Sequence, residues 1–145
     1  MDTMRRALVA AAVLAGTLGA SGCAQMQMEA TGQQVRLWGS NEVPPVTTQA
    51  YGTGVVNIAT NRSVSVTLSV LDMAPTAAHI HEGAAGANGP VIVTLTKISE
   101  RDFVAPPNAQ LTEAQYNAYK AGNTYVNVHS AKYPGGEVRA QLSGR

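Results

Sequence analysis

A single cysteine, Cys23, in a chain of 145 residues leaves no partner for an internal disulfide. It also rules out sites built on two or more thiolates, the four-cysteine zinc site included. Charge is scarce as well: Lys and Arg number 10 against 9 Asp and Glu, and the basic residues are scattered along the chain. Without a basic patch there is no electrostatic footprint for DNA or RNA, so a nucleic-acid partner is not expected. The apolar run over residues 7–18 is shorter than the roughly 20 residues a helix needs to cross a bilayer. No Ser-His-Asp order, paired-carboxylate spacing or nucleotide fingerprint stands out, which removes hydrolase and kinase chemistries and leaves an enzymatic role without a clear carrier. The Gly- and Ala-rich stretch 82–89 lacks the Lys-Ser/Thr ending of a phosphate loop and runs into a strand instead of a helix, so it reads as a flexible connection.

What is present is enough apolar material, 45% of the residues, to bury the core of one domain; the length excludes tandem enzymatic modules. The N-terminus has its own logic. Arg5 and Arg6 precede the apolar run, and Gly19-Ala20-Ser21-Gly22 leads to Cys23. The pattern predicts a secretory signal over residues 1–22 ending in a lipobox-like site, with cleavage before Cys23 and acylation of its thiol by palmitate. Ala24 follows that cysteine where an Asp would favour inner-membrane retention, so the expected location is the bacterial cell envelope, lipid-anchored in the outer membrane and facing the periplasm. Loss of residues 1–22 removes Arg5, Arg6 and Asp2 and leaves the mature chain formally neutral. Residues 23–34 lack a sustained period and read as the lipidated N-terminus and tether, with the domain proper over residues 35–145.

The body alternates with a period of two. Val64, Val66, Leu68 and Val70 fall on one face of a strand, and Ser63, Ser65, Thr67 and Ser69 on the other. Shorter versions recur at residues 54–59, 91–96, 125–129 and 137–142, with 35–38 as the first strand. Short strands with Gly, Pro and Asn punctuation predict an all-β antiparallel sandwich or barrel. Thr60-Asn61-Arg62 reads as a hairpin turn, and Asn41-Glu42-Val43-Pro44-Pro45 as a rigid exit from the first strand. One short helix interrupts the pattern: Thr112 and Gln115 form a capping box, Leu111 and Tyr116 occupy the staple positions, and Gly122 supplies the stop. Such a helix is marginal alone, so Tyr116 or Tyr119 is expected to pack on the sheet.

The three histidines carry the chemistry. In Ala78-His79-Ile80-His81-Glu82 alternation buries Ile80 and puts both imidazoles on the outward, solvent-accessible face; in Tyr125-Val126-Asn127-Val128-His129 it buries Val126 and Val128 and turns His129 outward with Tyr125 and Asn127. Side chains two apart on a strand start about 6.5 to 7 Å apart, near enough for two rings to converge on one ion, and a third ring from a neighbouring strand would complete a three-nitrogen set. If residues 130–136 join two antiparallel strands, the register that keeps Val138, Ala140 and Leu142 inside sets Glu137 opposite His129 and Arg139 opposite Asn127. Glu137 then becomes a candidate acceptor for an imidazole N–H or a weak oxygen ligand, with Arg139 holding the carboxylate. Three neutral nitrogens without a thiolate suit Cu(II), Zn(II) or Ni(II), and the divalent affinity order peaks at copper, so copper leads and zinc is the runner-up. Met26 and Met28 are too few thioethers to close a Cu(I) site by themselves.

The motifs Gly39-Ser40-Asn41-Glu42-Val43-Pro44-Pro45, Ala77-Ala78-His79-Ile80-His81-Glu82-Gly83, Asn88-Gly89-Pro90-Val91, Tyr125-Val126-Asn127-Val128-His129-Ser130 and Pro134-Gly135-Gly136-Glu137-Val138-Arg139-Ala140-Gln141-Leu142 together resemble the CHRD (chordin) domain over residues 35–142. The resemblance implies an exported protein and fixes fold better than function. A second resemblance, to the Greek-key barrel of Cu/Zn superoxide dismutase, implies that His79, His81 and His129 match three copper-ligand positions. No fourth histidine bridges to a zinc site and Cys23 cannot make that family's disulfide, so a two-metal enzyme is not expected and a copper-only relative is what that likeness allows. The leading expectation is therefore an exported lipoprotein that binds one transition-metal ion, copper first, through His79, His81 and His129, for metal binding, delivery or tolerance. The alternatives are a metal-free module that holds an envelope protein partner and a copper-only oxidoreductase.

Overall fold

The computed structural model describes residues 32–144; the expected signal segment, Cys23 and the expected tether up to residue 31 lie outside the described residues. In chain order the elements are β1 Gln33–Trp38, β2 Tyr51–Ile58, β3 Val64–Leu71, β4 Pro75–Glu82, β5 Val91–Thr94, β6 Thr96–Lys97, β7 Asp102–Val104, α1 Glu113–Lys120, β8 Thr124–Ser130 and β9 Val138–Leu142, with a single 3-10 turn at Gly39–Asn41 after β1. The period-two segments became strands because each places its branched apolar residues on one side. Val64, Val66, Leu68 and Val70 of β3 are all buried, and Val35 and Leu37 of β1 face the same interior. The turn at Asn61 and Arg62 closes the β2–β3 hairpin, with Arg62 in the left-handed region at φ 71° and the Asn61 side chain accepting from the Ser63 amide at 3.1 Å.

All nine strands belong to one antiparallel sheet in the order β5-β4-β8-β9-β1-β2-β3-β7-β6. Its two edges, β5 and β6, are separated in sequence only by Leu95, whose N–H donates to Ala78 O at 2.9 Å while Lys97 Nζ reaches Pro75 O at 2.7 Å. One stretch of chain thus pairs with β4 through its first half and with β7 through its second, and the sheet curls into a nearly closed barrel. Curling also protects the edges that an open sheet of this length would expose. Of the two expected architectures, the barrel is the one formed. Residues 72–74, joining β3 to β4, carry the chain between strands that are not neighbours in the sheet. The interior holds Leu37, Val70, Ala78, Ile80, Val126, Val128 and Val138, none exposed at all.

Two segments depart from the sequence expectation. The strand over 91–96 is broken at Leu95, where it changes partner, and β7 was not anticipated because its three residues bring in only Phe103. The helix forms as expected: Thr112 Oγ1 accepts from Gln115 N at 3.2 Å and Gln115 Oε1 accepts from Thr112 N at 2.9 Å, while Gly122 ends it at φ +77°. Tyr119 is buried, and Leu111 and Tyr116 pack on the same core.

The face expected to meet solvent is covered. Every residue of β8 is buried, as are Glu137 and Arg139 opposite it, because the loops at 83–89 and 131–136 and the segment following β1 fold over this side of the barrel. The barrel therefore has an apolar interior and, behind β4, β8 and β9, a second layer of buried polar side chains.

Candidate metal centre

The histidines sit in that second layer. Antiparallel pairing of β4 with β8 sets His79 opposite Asn127, His81 opposite Tyr125 and Ala77 opposite His129, so all three imidazoles project from one face. One ligand atom from each lies within 4.8 Å of the others, the one such grouping of His, Cys, Asp or Glu among the described residues. Ring centroids are 4.8 Å apart for His79 and His129, 5.6 Å for His79 and His81, and 6.1 Å for His81 and His129. His81 and His129 are buried and His79 is half-buried. The expected convergence of the two stretches is present, and it lies under cover instead of on an open surface.

Hydrogen bonding decides which nitrogens are available. His81 Nδ1 lies 2.9 Å from Gly89 O and His129 Nδ1 lies 2.9 Å from Pro134 O. A carbonyl oxygen only accepts, so each Nδ1 carries a proton and each neutral ring keeps its lone pair on Nε2. His81 Nε2 is buried and has no hydrogen-bond partner. His129 Nε2 lies 2.9 Å from His79 Nδ1, and since the former is the acceptor the latter is the donor. His79, free of a carbonyl clamp at Nδ1, can move its proton to Nε2 and release a third lone pair. Two nitrogens each about 2.0 Å from one ion stand roughly 3.3 Å apart at a tetrahedral angle, and cannot exceed about 4 Å. The 2.9 Å pair must open slightly, and a separation as wide as 4.8 Å must close by about 1.5 Å to reach the tetrahedral spacing, a movement shared among rotations of the three rings.

Protons are disfavoured here. Burial pushes His79 down to about 4, helped by repulsion from His129 and His81. Burial also lowers His129, partly opposed by its bond to Pro134 O, with His81 adding a smaller downward push. Neutral rings are what a metal requires, because a protonated imidazole has no lone pair to give.

Arg139 occupies the expected register opposite Asn127, whereas the β8–β9 pairing ends at Val128 and Val138, leaving Glu137 just beyond it with its N–H on Val128 O, and both side chains make different contacts from those anticipated. The Glu137 carboxylate accepts from Thr48 Oγ1 at 2.7 Å and Ser130 Oγ at 2.5 Å, while the N–H of His129 goes to a backbone carbonyl. Ser130 Oγ in turn accepts from Tyr133 N at 3.2 Å, so Glu137 braces the turn that presents Pro134 O to His129 and acts on the ring at one remove. Arg139 does not hold that carboxylate. Its guanidinium donates to Ala87 O at 2.9 Å, Gln141 Oε1 at 3.1 Å, and Asn88 Oδ1 and Ala84 O at 3.2 Å, and lies 3.4 Å from the centre of the Tyr125 ring. The 83–89 loop offers it three neutral acceptors and Gln141 on its own strand a fourth. Glu42 is buried nearby with Oε1 lacking a partner; burial lifts its carboxyl to about 7, against the pull of Arg139 and Asn127.

Sequence reasoning missed the carbonyls of Gly89 and Pro134, which have no side-chain signature. It placed Tyr125 on the histidine face without giving it a role. Its signal was the alternation itself, two residues from Asn127 and four from His129.

No curated protein and no solved structure shows significant similarity to the chain. The family model described as the CHRD domain matches residues 33–142, which includes every strand of the barrel and all three histidines, and the chain belongs to the CHRD domain family.

Proposed function

We propose that this CHRD domain binds one transition-metal ion, copper with zinc as the runner-up, through His79, His81 and His129, in an exported lipoprotein that holds or delivers the metal in the bacterial envelope. The observation that supports it is the arrangement of the two buried rings, each clamped through Nδ1 so that Nε2 faces the shared point, one of them with no other partner. Leaving a buried imidazole nitrogen unpaired costs free energy that an ion would recover. Three nitrogen donors leave at least one coordination position open, which suits exchange of the ion with a partner. Copper follows from the donor set, since imidazole without thiolate binds copper ahead of zinc in the divalent series.

Copper added to the protein and then dialysed should remain at about one equivalent by elemental analysis, because three converging donors define one ion. Nitrogen coupling should appear in the electron paramagnetic resonance of the Cu(II) form. Retention unchanged when His79, His81 and His129 are all replaced by Ala would remove the proposal. Anchoring is a separate matter: palmitate should label the wild type and not Cys23→Ala, and equal labelling would exclude acylation at this cysteine.

A further inference from the structure

Tyr125 is buried between two planar groups. Its ring lies parallel to that of His81, at 3° and 4.7 Å between centroids, and the Arg139 guanidinium covers its other side at 3.4 Å. Its hydroxyl accepts from Gly89 N at 3.2 Å, and Gly89 O is the acceptor for His81 Nδ1 at 2.9 Å. His81, Gly89 and Tyr125 therefore close a ring of contacts in which Tyr125 both stacks on the imidazole and, through the Gly89 N–H, holds the residue whose carbonyl fixes its proton. Gly89 has no room to do otherwise: a Cβ there would collide with Glu82 O. Arg139 secures the rest of the loop through Ala84 O, Ala87 O and Asn88 Oδ1, while Gln141 Nε2 donates to Gly83 O at 2.8 Å. The loop over 83–89, otherwise exposed, is thus tied down at the places that present Gly89 O to His81.

We infer that Tyr125 is the positioning residue of His81: by holding Gly89 it fixes the Nδ1–H tautomer and ring plane that aim His81 Nε2 at the metal. Its bearing on metal rests on the function proposed above, whereas the clamp itself is a property of the metal-free protein. A carbonyl that accepts from Nδ1 is the kind of outer partner whose loss typically costs 10- to 100-fold in metal affinity. Tyr125→Phe keeps the stack and removes only the hydroxyl, which leaves Gly89 N–H without its acceptor; Tyr125→Leu removes the stack too.

Two readouts separate the inference from the reading beneath it. In metal-free protein near pH 7.5, nitrogen-15 spectra of the histidine rings should show His81 with its proton on Nδ1 in the wild type and a mixture of tautomers in Tyr125→Phe, with a stronger effect in Tyr125→Leu. With copper alone as the probe, affinity should fall on the order of tenfold in Tyr125→Phe, within the range for outer partners, while circular dichroism shows the fold intact. A His81 proton on Nε2 in the wild type, or tautomer populations unchanged in Tyr125→Phe, overturns the inference. Should the tautomer shift as expected while the wild type retains no copper, the proposed function fails and the clamp stands.

Discussion

Glu42 and His79 are both displaced from their ordinary titration ranges by burial, and the two displacements act on folding in opposite directions. His79 falls from 6.5 to about 4. Between those values the unfolded chain binds the proton more readily, so this contribution is whole above pH 6.5 and is lost as the pH drops toward 4. Glu42 rises from 4.5 to about 7; here the folded chain holds the proton more tightly, and the contribution is present below 4.5 and lost as the pH climbs toward 7. Over the shared window Glu42 opposes His79, while His129, also lowered by burial, acts on the same side as His79, so metal-free wild type should lose less stability on acidification than a variant without the Glu42 carboxyl. Glu42→Gln removes one side. Its unfolding free energy from urea titration should decline as the pH is lowered from 6.5 to 4.5, by roughly 1 to 2 kcal/mol more than that of wild type once the partial solvent screening of His79 is allowed for. Matching pH profiles for the two proteins would show that Glu42 does not titrate in this range.

The same scale shows what side-chain identity can reveal. His79, His81 and His129 were legible because alternation assigns a face to each residue and the spacing of His-x-His is itself a donor pattern. The role of Glu137 was only half legible: the register brought it to the end of the β8–β9 pairing, but its hydrogen bonds depend on Thr48, 89 residues away, and on Ser130. Whether Arg139 faces a carboxylate or four neutral acceptors is likewise settled by a loop whose path over the strands has no periodic signature.

Among the elements, the helix was readable to the residue because a capping box is a local device, closed by side chains three positions apart. Its energetic weight follows from that locality. Thr112→Ala deletes the acceptor for Gln115 N and should lower stability by about 1 kcal/mol, seen as a lower thermal midpoint, and leave the copper stoichiometry unchanged. Serine at the same position should restore the wild-type value. No loss in Thr112→Ala would mean that burial of Tyr119 and Leu111 alone holds the helix. Strand β7 was not readable for the converse reason: three residues are too few to show a period, and what defines them is pairing with β3 and β6. The break at Leu95 is also a tertiary event, since the amide there bonds to β4 while the following residues pair with β7. Burial of β8 on both faces belongs with these, because a polar face and a face covered by polar loops look alike in sequence.

At the scale of the whole molecule, the site joins β4 to β8, two strands already paired through most of their length and flanked by β5 and β9. An ion held by His79, His81 and His129 would bind the folded barrel, where the rings converge, in preference to the unfolded chain, where they do not. Linkage then requires copper to stabilise the fold, by about 2.7 kcal/mol at a free concentration 100 times the dissociation constant. For a domain of about 100 residues that is a rise in the thermal midpoint on the order of 10 °C, less whatever affinity the unfolded chain retains through its separate histidines. The triple alanine variant should show no rise. Tyr125→Phe should show a smaller one at the same copper concentration, since weaker binding enters the same relation. An equal rise in wild type and triple variant would place the ion elsewhere on the chain, and a fall in the wild type would mean that copper prefers the unfolded state.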